Sequence, residues 1–374
     1  MLYVPVVSST GKPLMPCHPA RARELVRAGK AKRRFNKGLF YILLTERSDG
    51  FKQPVALGID PGSKWEGFTV KSEAHTFENL NVDAVTWVKD KIETRRNMRR
   101  SRRNRKTPYR QCRWNRSTKA NYDGFKLAPS THARWDWKLR LAKWLIKLYP
   151  ISCFVVEDIK AETKKGCKKW NTAFSPMENG KRWFYQGLGK LGRVETKQGF
   201  ETFEMRNQMG LKKLKDKKSK SFYAHCVDSW TLANWFVGGH TKPDFERVTC
   251  ITPFQWKRRQ LHKLQEAAGG IRKREGSTNS LGFKRGSLVK HIKHGVMYVG
   301  GFLKDRLSLH SVQTGERLVR NAKPADCTFL AHTSWRVFRQ YKKQKTYTVQ
   351  SHNCGNRNAC LVLNWKWKQE TDYQ

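Results

Sequence analysis

Acidic residues, long apolar runs and paired cysteines are all scarce in this chain of 374 residues. Its longest uninterrupted apolar run, LFYILL at residues 39–44, is far too short to span a bilayer. The N-terminal segment MLYVPVVSST lacks the basic and apolar regions of a signal peptide. These absences argue against a secreted protein and against a protein with membrane-spanning helices.

Cysteine is present but is not arranged for cross-links. The nine cysteines are an odd number, their spacing is irregular, and no two of them form a CxxC pair. Cys354 and Cys360 lie near His352, but ordinary free thiols are favoured over a structural zinc site. The cysteine pattern therefore predicts a reducing cytosol.

Positive charge is what the chain has in excess. The 76 Lys and Arg face only 30 Asp and Glu, which gives a formal net charge of +46. A compact chain with this charge repels itself unless a polyanion neutralises it, and nucleic acid is the obvious candidate. A membrane surface is the competing anion, but no basic face is set against a wide apolar stripe. Apolar residues make up 38% of the chain, which is enough for cores, and the length predicts two to three domains.

The most basic segment is RRNMRRSRRNRKTPYRQCRWNR, residues 95–116, with ten Arg, one Lys and no acid. Before Pro108 its only apolar side chain is Met98. A helix that is basic on every face cannot pack on a protein core, so this segment is either disordered or surrounded by polyanion. Because folded-looking segments flank it, we favour a helix buried in nucleic acid over a loop. The expected phosphate ligands are Arg95, Arg96, Arg99, Arg100, Arg102, Arg103 and Arg105.

The first half of the chain predicts a small separate unit followed by a sheet. Residues 1–53 predict a strand (LYVPVVS), a turn at Gly11, a short helix (PARARELVRAGKA) and a second strand (LFYILL). From Pro54, the segments VALGID, WEGFTVKS and NVDAVTWV predict a meander of three antiparallel strands. Apolar residues at helical spacing predict a helix between Pro129 and Pro150, and ISCFVVEDI after it predicts another strand.

The second half is less regular. Residues 163–220 are rich in lysine and weakly patterned, and the segment SFYAHCVDSWTLANWFV after them predicts a helix. Residues 283–335 predict short strands spaced like a small SH3-like barrel. A barrel that reads DNA and a basic barrel that only stabilises RNA are both open interpretations of this part.

Two of the predicted strands end in acids. Asp60 follows the apolar run of VALGID, and Glu157 ends the apolar run of CFVVE. The order strand, strand, strand, helix, strand lets these two strands run parallel as neighbours about 4.8 Å apart, so their terminal carboxylates would meet. His225 and Asp228, spaced i and i+3, share one helical face and could complete the cluster. Taken alone, Asp60 is better explained as a turn residue before Pro61.

Such a cluster predicts a site for a hard cation. Two close carboxylates repel each other unless a cation lies between them, and oxygen ligands suit Mg²⁺, for which Mn²⁺ can substitute. Asp60, Glu157 and Asp228 are the expected ligands. Two ions about 3.5–4 Å apart could clamp the attacking and leaving oxygens of a phosphodiester, with His225 taking a proton from water.

Several motifs resemble one known group of proteins. LGIDPGSKWEGFTV, CFVVEDI and SFYAHCVDSW are similar to the three split segments of the RuvC nuclease, which has an RNase H-like fold. The arginine-rich segment resembles the bridge helix of RNA-guided nucleases, and Pro13-Leu14-Met15-Pro16 resembles the PLMP module of the transposon-encoded IscB proteins. RRQLHKLQ at 258–265 and GFKRGSLVKH at 282–291 also look like that group, which adds Arg258 and Arg259 to the expected nucleic-acid ligands.

The resemblance implies an α/β multidomain protein with a split RuvC core. IscB proteins carry an HNH nuclease between the second and third RuvC segments, and here no His-Asn-His pattern occupies residues 163–220. The chain is thus similar to IsrB, the relative that lacks HNH. The implied divisions are a PLMP module (1–53), RuvC segment I (54–90), the bridge helix and linker (91–124), RuvC segment II (125–162), a lysine-rich linker (163–220), RuvC segment III (221–240) and a C-terminal nucleic-acid-binding region (241–374).

The implied function is RNA-guided nicking of DNA in the cytoplasm of a prokaryotic cell, at the nucleoid. The implied partners are a long structured guide RNA, in a 1:1 complex with a monomeric protein, and target double-stranded DNA with a target-adjacent motif. Matched by position, Asp60, Glu157, His225 and Asp228 are the catalytic set, and Asp158 is the alternative to Glu157. Two other functions are open: a guide-independent resolvase of branched DNA, and a non-catalytic RNA-binding scaffold.

Overall fold

The N-terminal unit is a four-stranded sheet with one helix. The computed structural model describes residues 3–106, 127–159, 176–216, 218–255, 264–265, 270–271 and 279–340. The unit contains β1 (Val4–Val7), β2 (Pro13–Cys17), α1 (Pro19–Arg27), β3 (Ala31–Asn36) and β4 (Leu39–Leu44), with sheet order β2-β1-β4-β3. The sequence predicted β1, α1 and β4. It missed β2, which contains two prolines, and β3, which is basic and largely exposed.

A seven-stranded sheet forms the centre of the described chain. Its strands are β5 (Val55–Asp60), β6 (Trp65–Ser72), β7 (Thr76–Asp83), β8 (Cys153–Asp158), β9 (Arg193–Gln198), β10 (Val248–Pro253) and β20 (Trp335–Gln340), in the order β20-β10-β7-β6-β5-β8-β9. Strands β5, β6 and β7 form the predicted antiparallel meander, and β5 pairs parallel with β8 as expected.

The third strand of the meander lies earlier than predicted. It runs over residues 76–83, whereas the apolar pattern of NVDAVTWV had suggested residues 81–88. The strand buries Glu78 and Asn79, which a hydrophobic pattern does not identify as core residues. The difference therefore comes from polar side chains buried inside the sheet, where Asn79 donates to the Phe245 carbonyl and Thr249 donates to Glu78.

Helices cover both faces of this sheet. The helices are α2 (Val88–Lys106), α3 (Pro129–Leu145), α4 (Pro176–Gly189), α5 (Gly199–Gln208) and α6 (Phe222–Val237). Leu57 and Ile59 of β5 belong to the large core that α3 completes with Trp137 and Leu141. On the other face, α6 packs directly over β5 and β6. Alternate residues of β5 and β8 thus belong to different layers.

The predicted linker at 163–220 is wrong for most of its described part. Residues 176–208 form α4, β9 and α5, and β9 extends the sheet parallel to β8. The signal was weak because β9, RVETKQ, is a half-buried strand at the sheet edge and α5 fully buries only Thr202. The arginine-rich helix begins at Val88, and the part of its predicted range beyond Lys106 lies outside the described residues.

The C-terminal strands form a separate antiparallel sheet of order β18-β17-β16-β15-β19. These strands are β15 (Ser287–His291), β16 (Gly295–Leu303), β17 (Arg306–His310), β18 (Arg317–Ala322) and β19 (Cys327–His332), preceded by the two-residue strands β11 (Leu264–Gln265), β12 (Gly270–Ile271), β13 (Asn279–Ser280) and β14 (Phe283–Lys284). The sequence predicted all five longer strands but missed β10 and β20, which join the central sheet. Within the described ranges, no helix combines the length and apolar character needed to cross a membrane.

Candidate active site

Two strand glycines bring helix α6 into direct contact with the sheet. A Cβ on Gly58 would lie 1.8 Å from the carbonyl oxygen of Ser229, and a Cβ on Gly67 would lie 2.0 Å from that of His225. Only glycine permits so close an approach of helix backbone to strand backbone. Gly67 pairs with Asp60 in the sheet register, so the same contact holds the first turns of α6 against the end of β5.

Three buried carboxylates meet at this place. Asp60 is 9% exposed, Glu157 7% and Asp228 2%, and they come from β5, β8 and α6. The carboxyl groups of Asp60 and Glu157 are in hydrogen-bond contact with each other. Burial raises the pKa of Asp60, and burial together with the Asp60 charge raises the pKa of Glu157 to about 8. The cluster is thus short of positive charge despite the basic character of the whole chain.

Two cations of the protein contact this cluster. Lys213 contacts Asp228 through its ammonium group, which also lies 3.5 Å from Oδ2 of Asp60. Arg206 of α5 donates to the other oxygen of Asp228. Burial alone would lower the pKa of Lys213, but the carboxylates of Asp60 and Asp228 raise it, so this side chain is a cation. Sequence reasoning missed both residues because nothing distinguishes Lys213 from the other lysines of the segment 209–221.

His225 lies at the edge of the cluster on the same helix as Asp228. Its side chain is buried, and its ring lies against the indole of Trp65, with ring centroids 5.5 Å apart. Trp65 is the first residue of β6 and follows the turn after Asp60. The structure therefore brings all four residues of the predicted catalytic set to one end of the sheet.

Asp158 points away from the cluster. Its Oδ1 accepts hydrogen bonds from Lys181 at 2.7 Å and Tyr185 at 3.0 Å, both on α4, and its Oδ2 accepts one from Gln198 at 3.2 Å. Successive strand residues face opposite sides of a sheet, so Glu157 and Asp158 cannot share a site. The structure thus places Glu157, and not Asp158, beside Asp60.

The predicted arginine ligands lie on an exposed helix. The side chains of Arg95, Arg96, Arg99, Arg100 and Arg103 are all exposed on α2. For Arg102 and Arg105 the structure describes the helical backbone only, and Arg258 and Arg259 lie outside the described residues. The exposed arginines of α2 could therefore contact phosphates along the helix.

The donor set of the cluster suits a hard divalent cation. Asp60, Glu157 and Asp228 offer oxygen ligands in a buried setting, where they need positive charge to ionise together. Within the described part of the chain, no three acidic, imidazole or thiol groups stand as a preformed metal cage. Lys213 and Arg206 engage both oxygens of Asp228, so a cation bound there would compete with them.

Comparison with known proteins points to nucleases. Residues 4–170 match the model of the RRXRR protein family, which is linked to RuvC-like and IscB-type nucleases. The matched range includes Asp60, Glu157 and α2, and it ends before His225 and Asp228. No curated protein matches the chain. The match indicates a nuclease-like function associated with nucleic acid.

Proposed function

We propose that this protein is an RNA-guided DNA nuclease of the RuvC type that nicks one strand. The observation that carries the proposal is the convergence of three buried carboxylates from β5, β8 and α6, which are far apart in the sequence. Burying such a cluster costs stability, and buried carboxylates with perturbed pKa values are concentrated at functional sites. The family match over residues 4–170 supports the same class of activity.

Asp60, Glu157 and Asp228 would hold Mg²⁺ or Mn²⁺. When bound, the cation stabilises charge on the oxygens of a phosphodiester during its hydrolysis. His225 is buried against Trp65, which limits the orientations of its imidazole, and it is suited to accept a proton from the attacking water. Lys213, once released from Asp60 and Asp228, is a cation at the position where a scissile phosphate would arrive.

The basic surfaces of the molecule support a nucleic-acid substrate and guide. Exposed arginines line α2, and a helix of this kind suits a position surrounded by RNA phosphates. A cavity of about 260 Å³ is lined by residues of both the C-terminal sheet region and the edge of the central sheet, among them Arg285, Arg336, Phe254 and Tyr298. Guanidinium and aromatic groups together suit a nucleotide. These features support binding of guide RNA and target DNA by one chain.

A strand-labelled cleavage assay tests the proposal. The purified complex of protein and RNA, supplied with Mg²⁺ and matched target DNA, is expected to nick only the displaced strand, because no HNH sequence pattern supplies a second active site. Asp60→Ala should abolish nicking while RNA and target binding survive. Asp305→Ala is the matched control, because Asp305 is 77% exposed in the C-terminal sheet.

Each alternative outcome contradicts a specific part of the proposal. Undiminished nicking by Asp60→Ala would remove the carboxylate cluster from the mechanism. Cleavage of branched DNA without RNA would indicate a resolvase. RNA binding without any cleavage in Mg²⁺ or Mn²⁺ would indicate a scaffold.

A further inference from the structure

Two phenylalanines project from helix α5 beside the carboxylate cluster. Phe200 is 65% exposed and Phe203 is 53% exposed, and their spacing of i and i+3 puts them on one face of the helix. We propose that Phe200 and Phe203 form an aromatic platform that stacks with unpaired bases of the DNA strand entering the active site. This inference rests on the nuclease function proposed above.

The orientation of α5 is fixed by its opposite face. Thr202 is buried and donates to the Gln198 carbonyl at 3.2 Å, while Met205 packs against the cluster of Cys153, Val155 and Leu232. At the first turn, the backbone N–H of Gln198 donates to the Glu201 carboxylate at 2.6 Å. The helix is therefore anchored against β8 and α6, and the exposure of both phenylalanines follows from this packing. A side chain held on an anchored helix is a suitable stacking surface.

One residue, Gly199 or Arg206, lies between the platform and each of two carboxylates of the cluster, Glu157 and Asp228. Gly199 precedes Phe200, and a Cβ on Gly199 would lie 3.6 Å from Oε1 of Glu157. At the other side, the Arg206 guanidinium lies 5.3 Å from the centre of the Phe203 ring and also donates to Asp228. Bases stacked on these rings would hold the neighbouring phosphate close to the carboxylates.

Charges of both signs surround the platform. Arg206 and Lys213 lie on the side of Asp228 and pair with it, while Glu201 pairs with Lys197 and Glu204 is exposed. A duplex keeps its bases stacked on one another, whereas a single strand presents base faces to aromatic side chains. Exposed rings beside the carboxylate cluster therefore fit an unpaired strand better than a duplex.

Site-resolved cross-linking tests the platform without relying on cleavage. Single-stranded DNA carrying 5-iododeoxyuridine is irradiated with the full chain in Ca²⁺, and the cross-linked peptide is identified by mass spectrometry. The tryptic peptide QGFETFEMR, residues 198–206, contains both phenylalanines. We expect cross-links on Phe200 or Phe203, and their loss in the Phe200→Ala, Phe203→Ala double variant. An iodouridine RNA strand serves as the comparison.

Variants distinguish stacking from simple apolar contact. Removing one stacking ring should weaken binding of a short DNA strand about tenfold. Phe203→Trp should retain binding, and Phe203→Leu should weaken it about as much as Phe203→Ala. Phe51→Ala is the matched control: Phe51 is 85% exposed and precedes the start of β5, whereas Asp60 ends that strand.

The outcomes separate this inference from the nuclease proposal. Absence of the cross-link, cross-linking to RNA alone, or a change of oligomeric state in the double variant with unchanged DNA binding would overturn the platform, even if Asp60→Ala abolishes nicking. Cross-linking to Phe200 or Phe203 together with unaffected nicking by Asp60→Ala would instead uphold the platform and overturn the carboxylate mechanism.

Discussion

Adjacent acids at the end of β8 have opposite environments. Glu157 lies against Asp60, and its pKa is raised, whereas Asp158 accepts hydrogen bonds from Lys181, Tyr185 and Gln198. Burial alone would raise the pKa of Asp158, but the hydrogen bonds from Lys181 and Tyr185 lower it. The Glu157 carboxylate thus destabilises the folded state, whereas the Asp158 carboxylate stabilises it.

Substituting each of the two acids should have different effects on cleavage and on stability. Glu157→Gln should abolish cleavage with no loss of stability, while Asp158→Asn should cleave but lose about 1–3 kcal/mol of unfolding free energy at neutral pH. Because folding lowers the Asp158 pKa below 3.8, its contribution is complete above that value and is lost as the pH falls through the folded pKa. Urea unfolding of both variants from neutral to acidic pH measures this. Equal stability of Asp158→Asn and the parent at neutral pH would contradict the structural role.

Lys213 competes with the cation that the cluster is proposed to bind. Its ammonium contacts Asp60 and Asp228. Lys213→Met should therefore lower the concentration of Mn²⁺ needed for half-saturation several-fold, because the metal no longer displaces a charged side chain. Calorimetric titration of Mn²⁺ measures this without cleavage, and Lys212→Met, at the exposed neighbouring residue, is the control. Weaker metal binding by Lys213→Met would show that Lys213 supports the bound cation.

At the scale of elements, the sequence predicts the parts of the sheet that are apolar. The runs of β5 and β8 identify two adjacent parallel strands, and the acids at their ends follow from that pairing. The edge strand β9 and helix α5 have no such pattern, because the Phe200 and Phe203 side chains face solvent. The region that contacts the site from this side, including Arg206, could therefore not be found by periodicity. Gly58 and Gly67 were an available signal, since glycine inside a strand indicates close backbone approach.

Helix α2 presents its arginines without support from a protein core. Changing Arg95, Arg99 and Arg103 together to Ala should leave folding intact, because Ala favours helix and these side chains are exposed. Loss of three phosphate contacts should reduce the slope of log affinity against log salt for RNA by about 2–3. A filter-binding titration across salt concentrations measures the slope. The corresponding triple Lys variant keeps the charge and should keep most of the slope. Parent-like binding by the Ala variant would contradict the assignment of α2 as an RNA-binding helix.

At the scale of the whole molecule, the charge and the fold act against each other. A formal charge of +46 opposes compaction, while the central sheet buries a core that includes Trp137, Trp144 and Trp335. The indole of Trp335, from the last described strand, packs on both other indoles at 5.4 and 5.3 Å. Chain segments that are far apart in sequence therefore pack together in one hydrophobic core. The cationic surface over that core has to be neutralised from outside.

The last prediction follows from this balance. A ligand that binds only the folded chain stabilises it by about 2.7 kcal/mol at a hundredfold excess over its Kd, so bound RNA should raise the melting temperature by several degrees. Added salt also screens the self-repulsion and should raise the melting temperature of the protein without RNA. In the complex, the same salt weakens RNA binding and should reduce the stabilisation that RNA gives.

Thermal melting of the protein with its co-purified RNA, after nuclease treatment, and with heparin as a non-RNA polyanion separates these contributions. If neutralisation alone stabilises the fold, heparin should restore the melting temperature after the RNA is removed; if a folded RNA contacts α2 and the C-terminal sheet specifically, it should not. A nuclease-treated protein that stays monodisperse and melts at the same temperature would show that the charge is not a significant cost to folding.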